Sequence, residues 1–353
     1  MEKNVSSLIT IFGATGDLSY RKLFPSIYNL FQKGYFEHSL AIIGIGLNEF
    51  TTDEFREKVK NAIQNNIENS KEIGAFLKRL FYKQQDANSK DSYQKFLEMS
   101  LELDDKFDLK ENRLFYLAMS PKFFGVATNH LKESGLTNVK GLMRIIIEKP
   151  FGDDLKSAKK LNNQIRKSFK EEEIFRIDHY LGKEMIQNIE RLRFGNTIFE
   201  PLWNNKYISN VQVTSSETLG IEDRGAYYES SGALKDMVQN HLLQMVSLLA
   251  MEPPISRKSS DIRKEKVQVL KSLKCFNPNE IKESFVRGQY DGGMMNNEFV
   301  PAYRNEPNVD SQSNTETFVA GKIEIENSKW ASVTFYIRTE KRMKKIYPNR
   351  YRV

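Results

Sequence analysis

SLITIFGATGDL, residues 7–18, is a β-rich apolar run that breaks at Gly13 and Gly16 and then opens the helical pattern SYRKLFPSIYNLFQKG, residues 19–34. A strand, a glycine turn and a helix in that order begin a unit that the next hundred residues repeat. LAIIGIG at 40–46 reads as a second buried strand, TDEFREKVKNAIQNNI at 52–67 as an amphipathic helix, and NRLFYLAMS at 112–120 and LMRIIIEKP at 142–150 as further strands. Such alternation predicts a parallel sheet with helices on its faces. Glycines at the first turn allow the backbone to approach a pyrophosphate, whose charge is favoured at the start of the following helix. Gly13-Ala14-Thr15-Gly16 is a sparse form of that fingerprint, placed where the fingerprint must lie. On the residues alone a structural turn explains it equally well.

A chain of 353 residues suggests two domains, each with ample apolar material for a core. Hydrophobic content of 39% and charged content of 28% fit an ordinary globular protein rather than a disordered or membrane class. No apolar run approaches the ~18 residues of a membrane span, and the N-terminus lacks the basic flank and longer apolar segment of a signal peptide. These features predict a cytoplasmic protein. The single cysteine, Cys275, excludes an internal disulfide and agrees with a reducing compartment. Net charge is +7, spread along the chain, which suits solubility or the steering of small anions rather than nucleic-acid binding. There is no nucleic-acid motif.

From about Tyr207 the character changes. YISNVQVTSSETLG at 207–220 alternates like a half-buried strand, AYYESSGALKDMVQNHLLQMVSLLAME at 226–252 reads as one long helix, and TFVAGKIEIE at 317–326 and WASVTFYIR at 330–338 as strands. An antiparallel α+β arrangement follows. The polar stretch 294–317 is predicted as a loop, either mobile or placed over a ligand. Before this region, RIDHYLGKE at 176–184 gathers an arginine, an aspartate, a histidine, a tyrosine and a lysine around a glycine, without a helical apolar repeat. That density marks a site. Of the four histidines, His38 and His130 lie in surface-like contexts, His179 in the cluster and His241 at the end of DMVQNH.

GATGDLSYRKLFPS, IIEKPFG, RIDHYLGKE and DMVQNH, in this order and spacing, closely resemble the glucose-6-phosphate dehydrogenase family over residues 8 to about 343. The resemblance implies an α/β fold: a Rossmann-like NAD(P)-binding domain at 1–183, then at 184–353 an α+β domain with a large, mainly antiparallel sheet, incomplete here. It implies oxidation of D-glucose 6-phosphate at C1 to a lactone, with hydride passed to NADP or NAD. By resemblance His241 is the general base, a role that suits imidazole, whose ordinary pKa of ~6.5 lies near working pH. Asp178 orients it. His179, Tyr180 and Lys183 become phosphate donors, and Glu217 and Asp236 acceptors for sugar hydroxyls. Lys22 and Lys149 match residues between cofactor and substrate, and Lys341 a sugar-binding lysine. Gly13, Ala14, Thr15, Gly16, Asp17, Leu18 and Lys149 are the implied cofactor contacts, and Pro150 matches a cis proline that aims Lys149. The implied partners are the sugar phosphate and a second copy in a dimer, with no metal, nucleic acid or membrane.

Two departures stand out. After the second strand the family commonly supplies an arginine for the 2′-phosphate of NADP, whereas this chain reads Gly46-Leu47-Asn48 with no acidic replacement. Tolerance of both nucleotides is therefore expected, with Thr15 still able to contact an adenosine phosphate. The second departure is the end, KKIYPNRYRV, where Glu340 stands for the glycine before the sugar-binding lysine and Ile346 for the next expected lysine. Its last nine residues can be encoded so that a one-base shift reads Lys-Tyr-Thr-Gln-Ile-Asp-Ile-Val, a strand-like continuation resembling the family. A frame slip in an adenine run at codons 344–346 is thus expected. The alternative from another functional class is an inactive remnant that keeps at most nucleotide binding.

Overall fold

The computed structural model describes residues 6–36, 39–64, 70–152, 154–343 and 350–352. His38, the end of the helix expected to reach 67, and the stretch 344–349 with Ile346 and the expected frame slip lie outside the described residues. The chain divides into two compact units, Met1–Ile177 and Asp178–Val353.

In the first unit the continuous apolar runs are strands buried on both faces. Strands β1 (Ser7–Phe12) and β2 (Leu40–Gly46) are buried at every position, as a parallel sheet covered on both sides requires. With β3 (Leu80–Gln84), β4 (Arg113–Leu117), β5 (Met143–Ile147) and β6 (Ile174–Arg176) they form one parallel sheet in the order β3-β2-β1-β4-β5-β6. That order reverses beside β1, where open α/β sheets bind ligands at the carboxyl ends of their strands. Helices α1 (Phe24–Gln32), α2 (Thr52–Ile63), α3 (Ser70–Leu77), α4 (Ser92–Phe107), α5 (Phe124–Glu133) and α6 (Leu155–Ile165) connect the strands, and two apolar clusters pack on the sheet. Thr51 and Glu54 close a capping box at the start of α2, and Asp154 and Ser157 one at the start of α6. Ahead of α1, Ser19–Leu23 is wound as a π-helix.

The second unit starts with α7 (Glu184–Phe194) and a sheet ordered β13-β7-β12-β11-β8, built from β7 (Asn210–Ser216), β8 (Phe285–Gly288), β11 (Phe318–Glu324), β12 (Thr334–Glu340) and β13 (Arg350–Arg352). β7 and β12 run parallel, and the remaining neighbours antiparallel. The mainly antiparallel sheet expected from sequence is present. Its inner face shares one apolar core with helices α8 (Gly225–Ala233), α9 (Leu243–Ala250) and α10 (Ser259–Lys271), around Trp330, Phe335, Leu242 and Met245, while α11 (Pro278–Ser284) adjoins β8 and β11.

The one long helix expected over 226–252 is three pieces. Between α8 and α9, residues Leu234–Leu242 are wound as a π-helix, and Gly232 breaks the helix with φ 61° and ψ 178°. A side chain there would be strained by the left-handed φ, and its Cβ would lie 2.6 Å from the Glu316 carboxylate. Glu316 occupies that space and accepts the Leu234 N–H at 3.0 Å, while its carbonyl accepts the Ala233 N–H.

The polar stretch 294–317 is tethered rather than loose. It contributes the hairpin β9 (Gly293–Met295) and β10 (Glu298–Val300), and a turn that buries Tyr303. The Tyr303 and Ser313 hydroxyls both donate to Glu229 of α8, at 2.6 and 2.7 Å. Gln289 donates to the Ser313 and Thr315 carbonyls. Polar composition marks this stretch as a loop but does not show its tethers, because the partners of these side chains are far away in sequence.

Candidate active site

Asp178 caps a short 3-10 turn over His179–Gly182, its carboxylate accepting the Tyr180 N–H at 2.9 Å. This cap turns the chain so that the Asp178 Oδ1 also lies 2.6 Å from Nδ1 of His241, a fully buried side chain on the π-helical segment. Burial by itself would raise the Asp178 carboxyl; the hydrogen bond and charge of His241, with the Tyr180 N–H, outweigh it and hold the group below the usual carboxylate range. The π register also brings Asp236, five residues earlier, to the buried side of the same segment. There its Oδ1 accepts the Tyr227 hydroxyl at 3.1 Å.

Tyr180 is central to the cluster. Its ring is 2% exposed and stacks on His241 with centroids 3.9 Å apart and planes 12° from parallel. Its hydroxyl donates to Glu217 Oε1 at 3.3 Å and lies 3.3 Å from Ser215 Oγ. Glu217 forms an ion pair with Lys341, whose side chain is almost fully buried. Burial favours the neutral Glu217, but the Lys341 charge and the Lys341 and Tyr180 hydrogen bonds prevail and lower its pKa. Lys183 is exposed and sets its ammonium 3.5 Å from the Tyr180 ring centroid. His179, also exposed, packs edge-on against both the Tyr180 and His241 rings.

The second unit therefore gathers eight of the sequence-derived residues: Asp178, His179, Tyr180, Lys183, Glu217, Asp236, His241 and Lys341. Asp178, His179 and His241 are also a trio of metal-ligand types, with candidate ligand atoms within 4.8 Å of one another. In that trio the Nδ1–carboxylate bond matches an oriented base. Tyr227, Ser215 and Lys266 were missed by sequence reasoning; the Lys266 ammonium on α10 interacts with the Asp178 charge. No local motif marks any of the three. The far end of the His241 segment is fixed by side chains: Arg193 donates to the Leu248 and Met251 carbonyls at 2.6 and 2.7 Å, Trp203 to Leu249 and Trp330 to Ala250. These donors satisfy the carbonyls a helix end leaves open. Burial lowers the Arg193 pKa to about 9 despite the nearby Glu252.

The remaining candidates lie in the first unit. Gly13 adopts φ +82°, and a Cβ there would lie 2.3 Å from the Ala118 carbonyl oxygen, so the turn after β1 admits only glycine. Gly16 follows, its N–H on the Gly13 carbonyl at 3.0 Å, and the Ser19 hydroxyl closes on the same oxygen. Ala14, Thr15, Asp17 and Leu18 complete the turn, and Lys22 stands exposed on the π-helical turn that follows. A tight backbone leading into a helical start fits a dinucleotide pyrophosphate. Leu47 is 70% exposed beyond β2, and Asn48 accepts the Thr15 hydroxyl at 2.8 Å. Lys149 lies beyond β5, and its bond to Pro150 is cis. Of the other histidines, His130 packs on Tyr93 with ring centroids 5.2 Å apart.

Glu340, which stands where the resemblance implies a glycine, has a measurable consequence. It is 4% exposed, and its Oε1 has no hydrogen-bond partner among the described residues, with the Arg338 guanidinium 3.7 Å away. Burial raises its pKa against the opposing Arg338 charge. The folded chain thus holds this proton more tightly than the unfolded chain, so stability falls as pH rises from the unfolded value, ~4.3, through the folded one. Glu340→Gln should raise stability at pH 7 by about 1 kcal/mol, or a Tm gain of about 2–4 °C, and give little at pH 4. Thermal unfolding at both pH values checks this; an equal gain at both would remove ionisation as the cause.

Comparison with known proteins gives concordant matches. The profile described as glucose-6-phosphate dehydrogenase, NAD binding domain, matches residues 10–188, and that of the C-terminal domain of the same enzyme matches 190–348. A glucose-6-phosphate 1-dehydrogenase of Bacillus subtilis (strain 168) is 53% identical over 96% of this chain and 69% of its own length. That of Leuconostoc mesenteroides is 43% identical over 97% and 70%. Among solved structures, a glucose-6-phosphate dehydrogenase in complex with its substrate glucose-6-phosphate superposes with a TM-score of 0.87 at 36% identity, covering 97% of this chain and 70% of the other. The Mycobacterium avium glucose-6-phosphate 1-dehydrogenase gives 0.81 at 35% identity, covering 95% and 70%.

Proposed function

The chain belongs to the glucose-6-phosphate dehydrogenase family, and from that premise we propose that it oxidises D-glucose 6-phosphate at C1 to 6-phospho-D-glucono-1,5-lactone, the first step of the oxidative pentose phosphate pathway. When bound, NADP or NAD supplies the hydride acceptor. The observation that carries the residue assignment is the 2.6 Å contact between His241 Nδ1 and Asp178. With Nδ1 committed to the carboxylate, His241 takes the C1 hydroxyl proton at Nε2, and Asp178 stabilises the imidazolium that results. Asp236 and Glu217 accept hydrogen bonds from sugar hydroxyls, and Lys341 donates to the sugar and keeps Glu217 ionised. Lys183 and His179, both exposed beside this cluster, hold the phosphate dianion by charge-assisted hydrogen bonds, with Tyr180 completing the receptor.

In the first unit the turn from Gly13 to Leu18 receives the dinucleotide pyrophosphate, and Lys149 and Lys22 serve the reacting end. The sequence divides into a nucleotide domain at 1–183 and a sugar domain at 184–353, whereas the compact units divide after Ile177, so Asp178, His179, Tyr180 and Lys183 belong by packing with the sugar-binding part. We place the enzyme in the cytoplasm, where its lone exposed Cys275 stays reduced. As a dimer it would use the outer face of the five-stranded sheet, where Val286 and Tyr336 are exposed. Among the described residues no helix is long and apolar enough to cross a membrane.

Cofactor choice gives the test at the nucleotide end. Leu47 and Asn48 cannot neutralise a 2′-phosphate, so the enzyme should reduce both NAD and NADP. Leu47→Arg should shift kcat/KM toward NADP by about 1–2 kcal/mol, the scale of a partly exposed charged hydrogen bond. Initial rates with each nucleotide at saturating sugar phosphate measure it. Strong NADP preference in the parent, unchanged by the substitution, would show that other residues read the phosphate.

A further inference from the structure

The Tyr180 ring has a neighbour on each face. His241 stacks 3.9 Å from its centroid at 12°, and the Lys183 ammonium lies over it at 3.5 Å. Two groups so close to one centroid would overlap if they shared a face, so they occupy opposite faces. The ring is held in place by burial, by its hydroxyl bonds to Ser215 and Glu217, and by the edge of His179. An aromatic face attracts cations through its quadrupole. Lys183 draws on that attraction at rest; His241 needs it once it has accepted a proton.

We propose that Tyr180 is a positioning residue that couples the phosphate receptor to the general base: Lys183 and the His241 imidazolium compete for one ring, and a bound phosphate, by drawing Lys183 away, releases the ring to the imidazolium. This rests on the reading of His241 as base and Lys183 as phosphate donor. A sugar lacking the phosphate would then meet a weaker base as well as a weaker grip.

The charged and titratable groups around His241 leave room for this coupling. Asp178 lies 2.6 Å from Nδ1, on the side of the imidazole away from Nε2, and Lys266 of α10 acts on Asp178. Glu217 at the end of β7 is paired with Lys341, and Asp236 on the histidine's own segment accepts from Tyr227. Among the groups nearest the histidine, His179 and Lys183 are the exposed ones. They are the ones a phosphate can reach. Of these two, Lys183 is the one seated on the ring face opposite His241.

The test is a pH titration of the whole chain, labelled with ¹³C at the histidine rings, with and without inorganic phosphate, His241 being assigned by loss of its signal in His241→Asn. Phosphate should raise the proton-binding constant of His241 about tenfold in the parent and nearly as much in Tyr180→Phe, but about threefold or less in Tyr180→Leu. Phe and Leu both lack the hydroxyl, so their difference isolates the ring. An equal response in the parent and Tyr180→Leu, or an equal loss in Phe and Leu, overturns the proposal. Should Tyr180→Leu fail to fold, Lys183→Met decides: without phosphate its His241 should take up the proton more readily than the parent's, and an unchanged midpoint overturns the proposal. The titration needs no turnover. Full coupling in a protein that does not oxidise glucose 6-phosphate would refute the functional reading alone, and an active enzyme without coupling would refute only the role of Tyr180.

Discussion

Replacing His241 with Asn is expected to lower kcat by about 10²- to 10⁴-fold, the range associated with a positioned general base, while KM for glucose 6-phosphate changes little. The asparagine amide can still donate to Asp178, so the half-buried carboxylate keeps a partner and the fold is spared an unpaired charge. What it cannot do is accept a proton. In the proposed role the imidazole acts on the hydroxyl as hydride leaves, so its loss should be felt in the transition state more than in the bound ground state. Steady-state rates at saturating nucleotide measure the effect, with circular dichroism as the check on folding. Turnover near that of the parent would mean that another group takes the proton.

Lys183→Ala should leave the chemical step largely intact and raise KM for glucose 6-phosphate by about ten- to a hundredfold, as expected for a lost hydrogen bond to a charged group. His179→Ala should act in the same direction. Partial desolvation lowers the Lys183 pKa, opposed by the Glu217 and Asp178 charges, so the ammonium already has anionic neighbours before any ligand arrives. A phosphate must add to that environment, and the remaining donors soften the loss of one. Free glucose, which presents no dianion, is the discriminating substrate: its kcat/KM should be affected far less. Equal losses on the two sugars would reject the phosphate receptor and leave Lys183 a structural role over the Tyr180 ring.

Much of the architecture was legible because parallel strands buried on both faces appear in sequence as unbroken apolar runs. SLITIF and LAIIGIG could scarcely be anything else, and Gly13 is explained by the Ala118 carbonyl that sits where its side chain would be. RIDHYLGKE stood out as a site by its polar density, but the roles of its residues and its pairing with His241 were legible only through resemblance. Asp178 and His241 are 63 positions apart, and no periodicity or spacing pairs them. Helical wheels also misdescribe DMVQNH, because the segment is π-wound and Asp236 and His241 fall on one side only in that register. The break at Gly232 had a visible signal, a glycine inside a helical pattern, but its cause, Glu316, lies in a stretch that polarity alone marked as a loop. Tyr180 read as one donor among several, since ring stacking leaves no trace in a sequence.

The seal on that break has an implication for biosynthesis. Leu234 waits for a carboxylate 82 positions downstream, and Glu229 for hydroxyls at Tyr303 and Ser313. As the chain emerges from a ribosome, His241 is translated well before the residues that bend its helix, and contacts closing so long a loop form late. Until Glu316 has left the exit tunnel, the Ala233 and Leu234 N–H groups lack the partners that hold the break within 226–252. A nascent chain halted short of that residue should carry every strand of the first unit and an unsealed break ahead of His241.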